Sequence, residues 1–460
     1  MVLRHFGEEI MKAAFYTLGC KVNQYETESI REQFRKDGFD IVPDNMPADV
    51  YVVNTCTVTN LADRKSRQYI RKAHRLNPDA VICVTGCYAQ VDEESVASIE
   101  GVSIVAGTDS KSRILEDVKK ELKRRSEQSP HGQVELSEIY RDVKPYSELN
   151  KYEELGVITE MEGRTRAFIK IQEGCDRFCS YCIIPFARGK VRSRARDEIT
   201  AEVKGLVEKG YKEIVLTGIN TALYGVDLGY GGIAPLIESI NGIEGDFRIR
   251  LSSLEPTVID SEYAVDLLKY DKLCHHLHLS AQSGSDSVLA AMNRHYTRDD
   301  YLDIVHKLRE KDPSFGISAD VIVGFPGETE EDFSDSIDLV KKSELVKTHV
   351  FKYSKRKGTK ACDMQGQVEE SNKAERSARL LETAEIVRED FVRKCCGEKR
   401  RVLFEQEEHG MITGYTDNYI KIFAASDEAS DLIGEFAYVT VGEPYLDGAR
   451  GTVIHDFKEI

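Results

Sequence analysis

The sequence predicts an α/β chain built as three modules in a row: a doubly wound α/β domain, a partial (β/α) barrel and a small all-β barrel. Three observations carry this reading. Residues 11–125 alternate short apolar runs with helical stretches, the pattern of a parallel sheet wrapped by helices. Residues 161–395 repeat a strand-plus-helix unit six times, which suggests part of a (β/α) barrel. Residues 396–460 break into short alternating strands separated by Gly, Asp and Asn, as in small OB-like barrels. Residues 126–160 between the first two modules read as a linker.

In the first module the apolar runs are AAFYTLGC (Ala13–Cys20), VYVVNTC (Val50–Cys56) and AVICVTGC (Ala80–Cys87). Each is rich in β-branched or aromatic residues, as buried parallel strands are, and each ends in Cys. Helical stretches follow the first two, over Gln24–Gly38 and Asp63–Leu76. In a doubly wound sheet the carboxyl ends of the strands share one edge, so Cys20, Cys56 and Cys87 are expected to converge there. Three converging thiolates suit a 4Fe–4S cluster with one open iron. A single such Cys would read as a small buried hydrophobe, which is how Cys83 is assigned. Asn23, Asn54 and Thr85 stand near the candidate ligands and are candidate donors to cluster sulfurs, although they are also ordinary turn residues. A basic helix over Lys111–Arg125 and a polar stretch containing SPHGQ lead into the linker.

The second module opens on GCDRFCSYCIIPFARGKVRSR, Gly174–Arg194, with Cys175, Cys179 and Cys182 at C-x3-C-x2-C spacing. Three thiolates on one loop hold three corners of an iron–sulfur cube and leave the fourth iron open, the arrangement by which radical-SAM enzymes chelate S-adenosylmethionine. A zinc knuckle is the alternative, but structural zinc takes four ligands and no fourth Cys or His follows nearby. Candidate strands are Ala167–Ile171, Glu213–Leu216, Phe247–Leu251, His275–Leu279, Ile317–Val323 and Thr348–Phe351. Polar turns follow them: Thr217-Gly218-Ile219-Asn220, Ser252–Pro256, Ser280–Ser285 and Gly324–Thr329. Small residues and backbone N–H groups there allow close approach of a nucleoside, making Thr217, Gly218, Ser253, Glu255, Gln282 and Ser283 candidate cofactor contacts. His275, His276 and His278 lie on one strand, where only two share a face, and are not taken as ligands. Cys274 and Cys362 read as structural, and Cys395-Cys396 as a domain junction. In the third module the strands are Arg400–Glu405, Met411–Tyr415, Tyr419–Phe423, Phe436–Val441 and Gly451–His455.

Composition sets the outer limits. The chain has 460 residues, 41% of them hydrophobic, which is ample for several cores. No run approaches the ~18 apolar residues of a membrane span, and the N-terminus has no apolar signal region, so a cytoplasmic protein is expected. Met11 is a candidate start, because the first ten residues read as an unstructured leader. Eleven cysteines without an export signal read as ligands and free thiols. The net charge of −16 does not advertise nucleic-acid binding, so any RNA contact must come from local patches. Three acid-free basic runs qualify: Arg64–Arg75, Arg188–Arg196 and Lys347–Lys360. The first follows Cys56 and the second follows the cysteine loop, so a phosphate backbone drawn to both sites is expected. From Gly397 to Ile460 there are six Lys/Arg against thirteen Asp/Glu, and Lys399, Arg400, Arg401 and Lys421 are the available cations for an RNA-binding face.

The order and spacing of these six cysteines, with GFPGETEEDF (Gly324–Phe333) and QSGSD (Gln282–Asp286), resemble the radical-SAM methylthiotransferases over nearly the whole chain. The stretch TLGCKVNQYETE, Thr17–Glu28, looks like the MtaB branch, whereas MiaB enzymes tend to read YGCQMN there and RimO enzymes LGCPKN. The resemblance implies an N-terminal cluster domain, a radical-SAM part-barrel and a C-terminal TRAM barrel. It implies two 4Fe–4S clusters, on Cys20, Cys56 and Cys87 and on Cys175, Cys179 and Cys182, with Tyr181 beside the adenine of S-adenosylmethionine. The implied reaction adds a methylthio group to carbon 2 of N6-threonylcarbamoyladenosine beside the tRNA anticodon. S-adenosylmethionine serves there as methyl donor and radical source, with an outside sulfur donor and a flavodoxin or ferredoxin as electron donor. The threonyl carboxylate would need a cation, for which Arg188, Lys190 and Arg192 are candidates. The alternatives are a RimO-like enzyme acting on a ribosomal protein, a MiaB-like enzyme acting on isopentenyladenosine, and a zinc-bearing RNA-binding protein without catalysis.

Overall fold

In the computed structural model, residues 10–128, 139–158, 160–161, 165–425 and 430–454 are described. Residues 1–9, the SPHGQ stretch and His455 lie outside them. The chain forms two compact units. The first comprises Met1–Glu160, Gln172–Phe178 and Cys182–Arg194; the second comprises Met161–Ile171, Cys179–Tyr181 and Ala195–Ile460. The cysteine loop is therefore divided: Cys175 and Cys182 belong to the first unit, Cys179 and Tyr181 to the second.

The first unit is built on a parallel sheet of β1 (Lys12–Thr17), β2 (Asp40–Val42), β3 (Val50–Thr55), β4 (Val81–Gly86), β5 (Val102–Ala106) and β6 (Tyr140–Asp142), in the order β2-β1-β3-β4-β5-β6. Every residue of β3 and β4 is buried, as their continuous apolar runs predict. Odd and even positions feed separate cores. Tyr51, Val53, Ile82 and Val84 pack on one face with Tyr69 and Ile70 of the helix Asn60–Leu76. Val50, Val52, Val81 and Cys83 pack on the other with Ile30 and Phe34 of the helix Lys21–Asp37. Cys83 is thus a core residue, as expected. The segment read as a linker is partly sheet: Ile104 to Ala106 pair in parallel with Tyr140 to Asp142. At three residues, β6 is too short for its periodicity to be visible in the sequence.

In the second unit, β7 (Arg166–Lys170), β10 (Glu213–Thr217) and β11 (Arg248–Leu251) pair in the order β11-β10-β7. The short β12 (Ser253–Leu254) continues into β13 (His276–Leu279), β14 (Gly316–Val323) and β15 (Lys347–Lys352), all parallel. The two sheets join through Ile249, whose N–H donates to Lys272 (2.7 Å) and whose carbonyl accepts from Cys274 (2.8 Å). The six strands expected from the sequence are present, and they form a partial barrel. Five further strands close a small barrel in the order β16-β17-β18-β20-β19: β16 (Lys399–Glu408), β17 (Met411–Thr416), β18 (Lys421–Ala425), β19 (Phe436–Tyr445) and β20 (Gly448–Val453).

The seam between this barrel and the part-barrel sheet is ionic. Glu213 is fully buried and accepts from Arg248 Nε (2.6 Å) and Arg250 Nε (2.7 Å), whose other nitrogens donate to carbonyls of Tyr415 and Thr416. Burial alone would raise the Glu213 pKa; Arg250, Arg248 and Arg166 outweigh it and hold the carboxyl well below its ordinary range. His276 stacks on Tyr419 with ring centres 4.3 Å apart. Three cations considered for RNA are engaged locally. Arg400 reaches Asp417 and Ser314, Arg401 reaches Asp246 and lies over Phe436, and Lys421 reaches Glu408. Only Lys399 of the four is exposed.

Candidate functional site

In the first unit the parallel register sets the convergence. Thr17 pairs with Asn54, and Asn54 with Thr85, so three adjacent strands end level with one another. Cys56 directly follows β3, Cys87 directly follows β4, and Cys20 caps the helix after β1. Two glycines make the close approach possible. Gly19 has φ +110°, and a Cβ there would stand 2.8 Å from Cys56 Cβ. Gly86 has φ +95°, and a Cβ there would stand 2.3 Å from the Thr55 carbonyl oxygen. Cys87 lies close enough to Cys20 and Cys56 to disfavour the ionisation of both, adding to their burial. Burial first, and then the neighbouring Cys87, push the Cys56 thiol up to about 12. Three thiols brought together at the strand ends, two of them with raised pKa, are a donor set that suits a cationic centre, which is what a cluster iron supplies.

The polar residues around these thiols are more tied down than expected. Asn23 Nδ2 donates to the carbonyls of Leu18 (2.7 Å) and Thr55 (3.0 Å), Asn54 Nδ2 donates to Asn23 O (3.0 Å), and Thr85 Oγ1 donates to Gly107 O (3.2 Å). These bonds lock the strand ends. Asn54 and Thr85 are therefore turn-locking residues; backbone N–H groups of Asn23 and Val58 donate to Cys20 and Cys56, and Arg188 is a side-chain donor, its Nε 3.2 Å from Cys87 Sγ. Arg188 was expected to meet substrate, but it is 0% exposed and held by Glu26 (2.5 Å) and Glu173 (2.6 Å). Arg192 is also buried, donating to Arg188 O (2.8 Å) and lying 3.7 Å from Asp109 and 3.8 Å from Glu173. Arg194 reaches Glu154 and Tyr25 Oη. The run Arg188–Arg196 is thus mostly internal, and of the three expected substrate cations only Lys190 is exposed. Sequence alone could not separate these cases, because a buried Arg between two carboxylates and a solvated one read identically. The helix after Cys56 does present its cations, with Arg64, Lys65, Arg71 and Arg75 exposed.

In the second unit Glu255 is the hub. Its carboxylate accepts from Asn220 Nδ2 (2.6 Å) and from Arg294 NH1 (2.8 Å), and Arg294 NH2 donates to Tyr181 Oη (2.8 Å). The turns after β10 and β12 and the aromatic residue of the cysteine loop are thereby drawn to one place. Burial would lower the Arg294 pKa, but Tyr181, Cys179 and Glu255 hold it well above its ordinary value. Arg294 is the residue that sequence reasoning missed; it lies beyond QSGSD, directly after the left-handed Asn293 (φ +61°). Thr217 ends its strand buried, Gly218 is half-buried, and Ser253 O accepts from Thr221 Oγ1 (2.7 Å).

Other expected contacts have structural work. Ser283 Oγ accepts from Ser285 N–H (3.2 Å) and lies 3.4 Å from Ser336 Oγ, and Gln282 bridges to β14 through backbone bonds to Asp320 and Ile322 (2.8 Å each). Thr329 and Asp332 of GFPGETEEDF form a capping box on the helix Glu330–Ser343. His278, Asp320 and His349, on three adjacent strands, bring ligand atoms within 4.8 Å of one another. His275 reaches Asp312, and His276 shares Ser318 Oγ with His278 at 2.9 Å each.

Residues 12–107 match the uncharacterized protein family UPF0004, and residues 169–340 match the radical SAM superfamily. The chain is 43% identical to the threonylcarbamoyladenosine tRNA methylthiotransferase MtaB of Bacillus subtilis, over 96% of this chain and 97% of that protein. It is 41% identical to the protein of the same name in Aquifex aeolicus, over 90% and 96%. A tRNA-2-methylthio-N(6)-dimethylallyladenosine synthase of Clostridium tetani is 36% identical over 89% and 90%. Among solved structures, the radical S-adenosylmethionine methyltransferase TsrM of Kitasatospora setae, with cobalamin and a [4Fe-4S] cluster bound, aligns with a TM-score of 0.55 over 77% of each chain at 16% identity, a likeness of fold alone. With identity at this level over nearly its full length, and with six cysteines in the expected order, the chain belongs to the MtaB-like radical-SAM methylthiotransferases.

Proposed function

We propose that this protein adds a methylthio group to carbon 2 of N6-threonylcarbamoyladenosine in tRNA, with two 4Fe–4S clusters and S-adenosylmethionine. The observation that carries the reading is the meeting of three cysteines at three adjacent strand ends in a chain that also bears C-x3-C-x2-C. The substrate rests on the near full-length identity to proteins named for that nucleoside.

Cys20, Cys56 and Cys87 would hold the auxiliary cluster, and Cys175, Cys179 and Cys182 the cluster that takes S-adenosylmethionine. When bound, these groups supply the electron, the radical, the methyl group and a sulfur-bearing iron. The chain's own part is to bind and orient. Tyr181 offers a ring for an adenine face, held in place through its hydroxyl by Arg294. Glu255 offers a carboxylate to a cationic or hydroxyl-bearing ligand, its position fixed by Asn220 and Arg294. Cys56 and Cys87 are buried, so two of the three sulfurs offered to the auxiliary cluster are held away from bulk water. The exposed cations of the helix Asn60–Leu76, together with Lys190, are the groups available to an RNA backbone near the first unit's cysteines.

Among the described residues no helix is long and apolar enough to cross a membrane. We place the enzyme in the cytoplasm with its tRNA, served by a flavodoxin- or ferredoxin-type electron donor and by a separate sulfur donor. The test is mass spectrometry of nucleosides from total tRNA of cells with and without the gene. Loss of 2-methylthio-threonylcarbamoyladenosine with accumulation of its unthiolated precursor is expected. An unchanged threonylcarbamoyladenosine pool with loss of the methylthio-isopentenyl nucleoside would move the enzyme to the MiaB-like reaction, and an unchanged tRNA profile would point to a ribosomal protein.

A further inference from the structure

Arg188 is a fully buried side chain that four polar side chains of the first unit surround. One guanidinium meets Cys87 Sγ at 3.2 Å through Nε, Glu26 at 2.5 Å and Glu173 at 2.6 Å through one terminal nitrogen, and Asn23 Oδ1 at 2.5 Å through the other. These partners come from different places. Asn23 and Glu26 lie on the first turns of the helix that Cys20 caps. Cys87 ends β4. Glu173 belongs to β8 (Gln172–Glu173), two residues before Cys175, and pairs with β9 (Arg192–Ser193). Lys111, also fully buried, completes the cluster at 3.4 Å from Glu26. The two carboxylates, Glu26 and Glu173, thus face Arg188 and Lys111, with the buried Arg192 also 3.8 Å from Glu173.

We propose that Arg188 is a positioning residue that sets the reduction potential of the auxiliary cluster and ties the root of the C-x3-C-x2-C loop to it. The inference rests on reading Cys20, Cys56 and Cys87 as cluster ligands. The physical reason is charge. Reduction adds a negative charge to a cluster already bearing three thiolates. A hydrogen bond and a full positive charge on one ligating sulfur, inside a buried pocket, stabilise the reduced form and raise the potential. The sign of the effect depends on which partner is removed. Losing Arg188 makes the pocket more negative and lowers the potential; losing Glu26 makes it more positive and raises it. A merely structural role gives no reason for opposite signs.

The experiment is an EPR-monitored redox titration of the anaerobically reconstituted full chain in which Cys175, Cys179 and Cys182 are all Ala, so that only the auxiliary cluster contributes. In this background Arg188→Gln is expected to shift the midpoint to more negative potential and Glu26→Gln to more positive potential. Arg188→Lys keeps the charge, loses the fork and should fall between wild type and Arg188→Gln. If Arg188→Gln does not fold, the Glu26→Gln and Arg188→Lys shifts carry the test. Midpoints that stay at the wild-type value with full iron and sulfide content overturn the proposal, as do shifts of the same sign for Arg188→Gln and Glu26→Gln. Absence of iron from the background variant itself would instead overturn the cluster reading on which the proposal rests.

Discussion

The two cysteine sets offer the same three sulfurs but are assembled by opposite means. Cys175, Cys179 and Cys182 sit within eight consecutive residues of one loop. Cys20, Cys56 and Cys87 are separated by more than thirty residues at each step and meet only because β1, β3 and β4 run parallel and end in register. A loop site needs a short stretch of correct sequence; a strand-end site needs a folded sheet. The second kind also needs turns that bring backbones close together, and it accumulates buried charge, because side chains from distant segments share one dry pocket.

The comparison breaks most directly at the sulfurs. Changing Cys175, Cys179 and Cys182 together to Ala, or Cys20, Cys56 and Cys87 together, should each remove about half of the iron and labile sulfide. Both variants should abolish the methylthio nucleoside in tRNA. Metal analysis after anaerobic reconstitution checks this, and full iron in either variant would mean that those cysteines are not ligands.

The dependence on the sheet is sharpened at Gly86. Gly86→Ala places a Cβ 2.3 Å from the Thr55 carbonyl oxygen at φ +95°. A loss of at least about 2 kcal/mol of stability is expected from strain and overlap together. It should appear as a lower unfolding midpoint and as selective loss of the auxiliary cluster, and an unaltered midpoint would show that the turn is not needed.

For the second unit the corresponding test is Arg294→Met. Removing the link between Glu255 and Tyr181 should weaken S-adenosylmethionine binding roughly tenfold, or about 1.4 kcal/mol. Equilibrium dialysis on the reconstituted protein measures it, and unchanged affinity would detach Arg294 from the cofactor site.

The smallest effect is expected at Thr329. Thr329→Ala removes one half of a capping box and should cost about 1 kcal/mol of stability. S-adenosylmethionine affinity should stay at the wild-type value, because Thr329 Oγ1 is engaged with Asp332 (2.9 Å). Weaker cofactor binding would return GFPGETEEDF to the list of ligand-contacting motifs.

The sequence by itself determined the fold class, the strands of the part-barrel, the five strands of the small barrel and the six cysteines, whereas the chain packs as two compact units. Each of these is written in local patterns: period-two alternation, apolar runs ended by Gly-Cys or Thr-Cys, and close cysteine spacing. It also placed Cys83 in the core, because a Cys in mid-run of a buried strand has no edge to reach.

Only the tertiary structure decided what the charges do. Arg188 and Arg192 look like a basic patch in the sequence, yet they lie buried against Glu26, Glu173 and Asp109, which are remote along the chain or hidden in short strands. Arg400, Arg401 and Lys421 likewise turn to acids from neighbouring elements. Arg294 entered the second unit's site with no motif to announce it. A hydrophobic pattern reports burial because burial follows from a residue's own chemistry repeated along one element. The state of a charge depends on the opposite charge that folding brings to it, and that partner is set by topology.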